Sequence, residues 1–217
     1  MISMEITDVL ALSASICTIL QFLAGIVVCS KYIKSGTTGD SSGLAFLTCF
    51  MSCSLWLRYG ALIGDLFIVS VNIFGAILQL CYVLIYFLYS VKKWTTIKQF
   101  TAATGFVFFV YSYSMYQEDK ELAAKHVGFL SCTLTVLFFA SPLISLAHVI
   151  RVKSAESLPF PVIVASLVVT CQWFAYGCLL GDPFLQIPNF LGCVLSAFQL
   201  SLFLIYPSKR TDETYFI

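Results

Sequence analysis

The sequence predicts an all-α polytopic membrane protein whose seven transmembrane helices form a 3+1+3 parallel repeat of triple-helix bundles. Three observations predict it. First, 59% of the 217 residues are hydrophobic and only 11% are charged, with a mean hydropathy of +0.93. A soluble globule of this size would lack the polar groups to cover its surface, so a bilayer must surround it. Second, seven apolar stretches have lengths that suit the ~30 Å hydrocarbon core of a membrane. Third, residues 12–93 recur as residues 129–210 at a constant offset of 117. The matched positions are Trp56/Trp173, Tyr59/Tyr176, Gly60/Gly177, Gly64/Gly181, Asp65/Asp182, Phe67/Phe184, Asn72/Asn189, Gly75/Gly192, Tyr89/Tyr206 and Lys92/Lys209. An offset that never slips places matched residues on matched helices.

Taken in order, the stretches fall near 8–30, 43–63, 66–90, 99–116, 126–148, 158–180 and 184–206. Nine of the twelve basic residues lie in alternate connections: Lys31 and Lys34, then Lys92, Lys93 and Lys98, then Arg151 and Lys153, and finally Lys209 and Arg210. Cytoplasmic loops carry such an excess, so these connections are expected inside, with the N-terminus outside and the C-terminus cytoplasmic. The other connections carry Glu5 and Asp8, Asp65, the run Glu118, Asp119 and Glu121, and Asp182. Glu5 and Asp8 stand where a signal peptide would need basic residues, so the first helix is expected to insert and stay.

Two three-helix units joined directly would point in opposite directions; a single fourth helix between them restores a common orientation. The expected organisation is therefore a first bundle over 1–93, an inversion-linker helix with its outer loop over 94–124, a second bundle over 125–207 and a cytoplasmic tail over 208–217. Parallel repeats are related by an axis along the membrane normal, and that axis is where a transported molecule is expected.

Helix rise locates the repeated polar residues in depth. With Asp65 and Asp182 taken as surface markers, Trp56 and Trp173 lie nine residues before them and Asn72 and Asn189 seven after, which is about 10–14 Å at 1.5 Å per residue. A carboxamide facing lipid at that depth would be costly, so both asparagines should face the bundle interior. Two indoles and two carboxamides converging near the midplane suit a neutral polyhydroxylated ligand, because sugar C–H faces stack on indoles and carboxamides both donate to and accept from hydroxyls. The bland alternative makes the asparagines interhelical glue and the tryptophans interfacial anchors. Midplane depth and duplication argue against it.

No Asp, Glu or His lies deep within a stretch, whereas a proton-coupled carrier generally needs a buried titratable group; transport is expected to be passive. Arg58, the one strongly charged residue within a stretch, is expected to snorkel outward or to pair with Asp65 or Asp182. His126 and His148 lie at helix ends, where an interfacial role is expected.

The segments Ser54-Leu-Trp-Leu-Arg-Tyr-Gly60, Val71-Asn-Ile-Phe-Gly75, Ala140-Ser-Pro142, Gln172-Trp-Phe-Ala-Tyr-Gly177 and Asp182-Pro-Phe-Leu-Gln-Ile-Pro-Asn189 resemble those of the SWEET sugar facilitators, specifically the animal members, over nearly the whole chain. The resemblance implies a bidirectional uniporter of mono- or disaccharides working by alternating access, often as a homo-oligomer, in the plasma membrane or the Golgi. It also implies that Asn72 and Asn189 bind substrate, that Trp56 and Trp173 line the cavity, and that Tyr59 and Asp182 close an outer gate. The family uses four helix-kinking prolines near its inner gate. Pro142 and Pro159 match two of them, with Pro161 nearby, but the first-half positions read Gly25 and Ala45. Glycine supplies a flexible point, whereas alanine is a good helix former, so inner gating is expected to differ between the halves.

Other classes fit less well. A seven-helix receptor would share the topology but not need the repeat, and neither an Asp-Arg-Tyr nor an Asn-Pro-x-x-Tyr motif occurs. A proton-coupled amino-acid exporter of related fold would be expected to show a Pro-Gln dipeptide and buried acids. No nucleophile, base and orienting group stand at a recognisable spacing, so no enzyme activity is expected. The nine cysteines lack metal-ligand spacing and are expected to pack as small apolar groups, without a disulfide, metal or cofactor. A net charge of +1 with dispersed basic residues argues for no nucleic-acid partner. The GxxxG runs at Gly60–Gly64 and Gly177–Gly181 are expected to serve close packing or capping within the monomer.

Overall fold

A computed structural model describes residues 5–206; the tail over 208–217, with Lys209 and Arg210, lies outside the described residues. Within them the chain forms seven spans built from nine helices: α1 (Ile6–Leu23), α2 (Gly25–Ser35), α3 (Leu44–Ile63), α4 (Leu66–Tyr89), α5 (Lys93–Tyr116), α6 (Lys120–Phe138), α7 (Ala140–Val152), α8 (Phe160–Leu180) and α9 (Pro183–Ile205). The stretches expected over 8–30 and 126–148 are each a broken helix, α1–α2 and α6–α7. Six spans are long and apolar enough to cross a bilayer by length and composition. The remaining span, α5, is richer in Thr, Ser and Tyr. It also starts six residues before the apolar stretch, because the Lys93 and Lys98 stems reach back over the Phe87 and Trp94 rings at 5.6 and 5.7 Å, keeping their charges outside.

The hairpins between α3 and α4 and between α8 and α9 show how local chemistry sets the repeat. Gly64 and Gly181 end their helices in the left-handed region, at φ +77° and +67°, which glycine adopts without a Cβ penalty. The next residue caps the following helix: Asp65 Oδ1 accepts from the N–H groups of Phe67 and Ile68 at 2.9 and 3.0 Å. Asp182 Oδ1 accepts from Phe184 and Leu185 at 2.9 and 3.4 Å. A cap of this kind is worth about 1 kcal/mol. The Gly-Asp pair thus stops one helix and starts the next within two residues, pressing the partners so close that a Cβ on Gly60 or Gly177 would meet Ile68 or Leu185 at 2.8 or 2.9 Å. The GxxxG runs therefore do serve packing and capping inside the monomer.

In each bundle the third span lies between the first two. α4 packs on α3 and on α1–α2, while α9 packs on α8 and on α6. The bundles meet along two seams, α1 against α8 and α3 against α6, which the repeat exchanges; α5 stands outside, against α3 and α6. Between the seams lies a core of Ala11, Ala14, Ile68, Val71, Val169, Trp173, Tyr176 and Leu185. The perimeter is apolar, with Leu204 at 88% and Phe108 at 73% exposed, as a lipid-facing surface requires.

Arg58 departs from both expectations. Its Nε donates to Ser114 Oγ at 2.7 Å, its Nη2 donates to the Ser114 carbonyl at 3.1 Å, and its guanidinium lies 5.8 Å from the Tyr111 ring centroid. It pairs with neither Asp65 nor Asp182. The cause is the end of α5 at Tyr116: the last carbonyls of a helix lack intrahelical donors and form its negative pole, a better partner within reach than bulk water. Tyr111 adds a bond from its hydroxyl to the Ser54 carbonyl at 2.8 Å, so α5 is fastened to α3.

Candidate functional site

A cavity of about 180 Å³ lies where the seams converge, and Trp56, Asn72, Trp173 and Asn189 all line it. The indoles come from α3 and α8, the carboxamides from α4 and α9. Thr18, Phe22, Ser52, Cys53, Thr135 and Pro188 contribute to the same wall. No charged side chain is among its lining residues.

Each polar group is held in the same way in both halves. The Asn72 Nδ2 donates to the Ile68 carbonyl at 2.8 Å, and the Asn189 Nδ2 to the Leu185 carbonyl at 2.8 Å. Both amide groups are therefore anchored to their own helices, leaving each Oδ1 as an acceptor for a ligand hydroxyl. The Trp56 Nε1 donates to Thr135 Oγ1 at 3.1 Å, and the Trp173 Nε1 to Thr18 Oγ1 at 2.9 Å. Those hydroxyl protons go to the carbonyls of Ser131 and Ala14. With its N–H occupied, each indole offers its carbon face. Tyr59 and Tyr176 stand edge-on to Trp56 and Trp173, with centroids 5.6 and 5.7 Å apart.

Toward the end that carries the Gly-Asp turns, two hydrogen bonds join the bundles. The Tyr59 hydroxyl donates to Asp182 Oδ2 at 2.7 Å, and the Tyr176 hydroxyl donates to Asp65 Oδ2 at 2.6 Å. Both tyrosines are buried. The first bond joins the Tyr59 and Asp182 pair expected from the sequence; the second was not anticipated. Its signal was present, because adding 117 to Tyr59 and subtracting it from Asp182 gives Tyr176 and Asp65. The threonines were also missed, although Thr18 and Thr135 obey the same offset.

At the other end the four expected hinge residues are not gathered. Pro142 and Pro159 share the wall of a cleft of about 450 Å³ formed by the second bundle and Gln21 of α1. Gly25 follows the α1–α2 break and abuts Tyr82, whose ring lies 2.3 Å from where a Cβ would stand. Ala45 is exposed, the second residue of α3. The helix breaks at Ala24 and Phe139, equivalent within two residues, occur whether proline or glycine follows.

Comparison with known proteins places these features in context. Residues 8–94 and 125–211 match the family model MtN3_slv, described as sugar efflux transporter for intercellular exchange. The chain is 47% identical to the sugar transporter SWEET1 of Drosophila pseudoobscura pseudoobscura, over 93% of this chain and 90% of that relative. It is 32% identical to the human sugar transporter SWEET1, over 92% of this chain and 90% of that one. The solved structure of a eukaryotic SWEET transporter superposes with a TM-score of 0.85 at 28% identity, covering 93% of this chain and 99% of that one.

Proposed function

Because the chain belongs to the family of sugar efflux transporters for intercellular exchange, we propose that it is a passive, bidirectional sugar uniporter working by alternating access. The observation that carries this reading is the uncharged central cavity, walled by two indole faces and two amide oxygens. Such walls hold a pyranose by stacking and by hydroxyl hydrogen bonds, and ask for no counter-ion. A volume of about 180 Å³ suits one sugar ring rather than two linked rings in this closed state.

Trp56, Trp173, Asn72 and Asn189 bind the substrate in this reading. The Tyr59–Asp182 and Tyr176–Asp65 bonds form the outer gate, and the breaks beside Gly25 and Pro142, with the helix starts at Ala45 and Pro159, are the inner hinges. Residues 1–93 and 125–207 move against each other, with 94–124 as linker. The N-terminus lies outside and the C-terminus in the cytoplasm, in the plasma membrane or the Golgi, and the protein works as a homo-oligomer.

The test is counterflow of radiolabelled glucose through purified protein in liposomes, with and without a pH gradient. Saturable flux in both directions, unchanged by the gradient, is the expected result. Flux that stops when the gradient is collapsed would overturn the passive mechanism, since no Asp, Glu, His or Lys side chain is among the lining residues to carry a driving proton.

A further inference from the structure

The two halves differ most at the end opposite the Tyr–Asp bonds. In the first half, the Tyr82 ring fills the space between α2 and α4: it is buried, lies 5.2 Å from the Phe46 ring, and donates its hydroxyl to the Phe22 carbonyl at 3.2 Å. The residue 117 positions on from Tyr82 is Gln199, and the one 117 on from Phe46 is Ile163. With a linear amide and an aliphatic group in place of two rings, the second half keeps the open cleft of about 450 Å³ noted above.

Its wall carries hydroxyls and carboxamides and no charged side chain. Gln21 and Ser166 are joined by a bond from Nε2 to Oγ at 2.8 Å. Ser196 and Gln199 are different. They are 4% and 8% exposed, they line the cleft, and neither side chain has a hydrogen-bond partner among the described residues. Unlike the sealed, unpartnered Oε1 atoms of Gln79 and Gln172, their polar atoms keep access to the cleft, so they can donate to and accept from a ligand or water there. Phe139, 22 residues before Pro161 and on the same wall, adds an aromatic face.

We propose that this cleft is a second sugar-binding subsite, off the pseudo-twofold axis and walled by the second bundle with Gln21 of α1, that takes a monosaccharide between the central cavity and the adjacent membrane surface. The inference rests on the sugar-transport reading. Uncharged hydroxyl and amide donors select a neutral polyol over a phosphate-bearing group, which would call for basic side chains. Gln199 lies ten residues beyond Asn189 along α9, or about 15 Å at 1.5 Å per residue, so the two sites are far enough apart to be occupied together.

Equilibrium dialysis of the purified full-length protein against radiolabelled glucose tests it. Wild type should bind two sugars per chain. Gln199→Tyr, which installs the residue found at the matched position of the first half, should bind one, as should the pair Gln199→Leu and Ser196→Ala, which removes the polar atoms without filling the cleft. Asn72→Ala with Asn189→Ala should also bind one, by losing the central site. A single wild-type site that both cleft variants leave intact and the asparagine variant abolishes would overturn the second subsite while leaving the central one standing. If the asparagine variant instead retained every site, the central assignment would be the one to fall.

Discussion

The indole of Trp173 donates to the hydroxyl of Thr18 across the α1–α8 seam at 2.9 Å, and the repeat reproduces the bond between Trp56 and Thr135 across the α3–α6 seam. Each bond fixes a ring on one bundle by a group on the other. Thr18→Val or Thr135→Val keeps the shape and removes the acceptor, leaving an indole N–H in need of a partner. A loss of about 1 kcal/mol is expected to appear as a rise of about fivefold in the glucose KM for each variant, measured by zero-trans flux in liposomes. An unchanged KM in both would show that ring orientation does not matter.

The carboxylates of Asp65 and Asp182 serve their helices through Oδ1 and the opposite bundle through Oδ2. The two duties are separable. Asp182→Asn can still cap α9 but offers Tyr59 a weaker, uncharged acceptor, so its melting temperature should stay near wild type while the closed state loses population. Asp182→Ala loses both and should melt lower, by the equivalent of about 1 kcal/mol. Thermal unfolding by intrinsic fluorescence, with exofacial labelling of a cysteine introduced at Phe67, distinguishes the two.

Gly25→Ala puts a methyl group into the Tyr82 ring, 2.3 Å away. Overpacking of this kind costs about 1–3 kcal/mol. Replacing Tyr82 with Gln, its matched residue in the second half, should recover most of that loss in the double variant, although Tyr82→Gln alone destabilises by emptying the space. Melting temperatures of the three variants give the coupling; simple additivity would contradict the packing argument.

Arg58→Ala removes two donors from the end of α5 and leaves the Ser114 carbonyl without its cationic partner. A stability loss of about 1–3 kcal/mol is expected. Arg58→Lys should recover less than half of it, because an ammonium cannot span Oγ and the carbonyl as the guanidinium fork does. Melting curves in detergent measure both.

Much of this architecture was legible in the chain because it rests on rules that act at long range along the sequence. Trp56, Asn72, Trp173 and Asn189 could be assigned a common depth from rise per residue, and the cavity brings all four together. The Gly-Asp turns could be read because their chemistry is local. What escaped was lateral arrangement. Arg58 was expected to snorkel outward or to pair with Asp65 or Asp182, whereas its partner is the carbonyl-rich end of a helix 56 residues away, which no spacing reveals. Hydropathy runs unbroken through Ala24 and Phe139, so the breaks in the first and fifth spans were legible only as the hinge positions named at Gly25 and Pro142. Gly25 was read as a flexible point, yet the structure also gives it a steric duty toward Tyr82 that depends on how α2 meets α4.

Splitting each aspartate between a cap and a bond to the opposite bundle bears on how readily the proposed outer gate parts. When Oδ2 lets go of a tyrosine, the other oxygen keeps its grip on the first turn, so neither α4 nor α9 frays as the bundles separate. Only two hydroxyl protons must find new acceptors, and water entering the widening gap provides them. In the proposed outer gate, the energetic step between shut and open states is thereby kept to side-chain exchange, with the backbone ladder untouched.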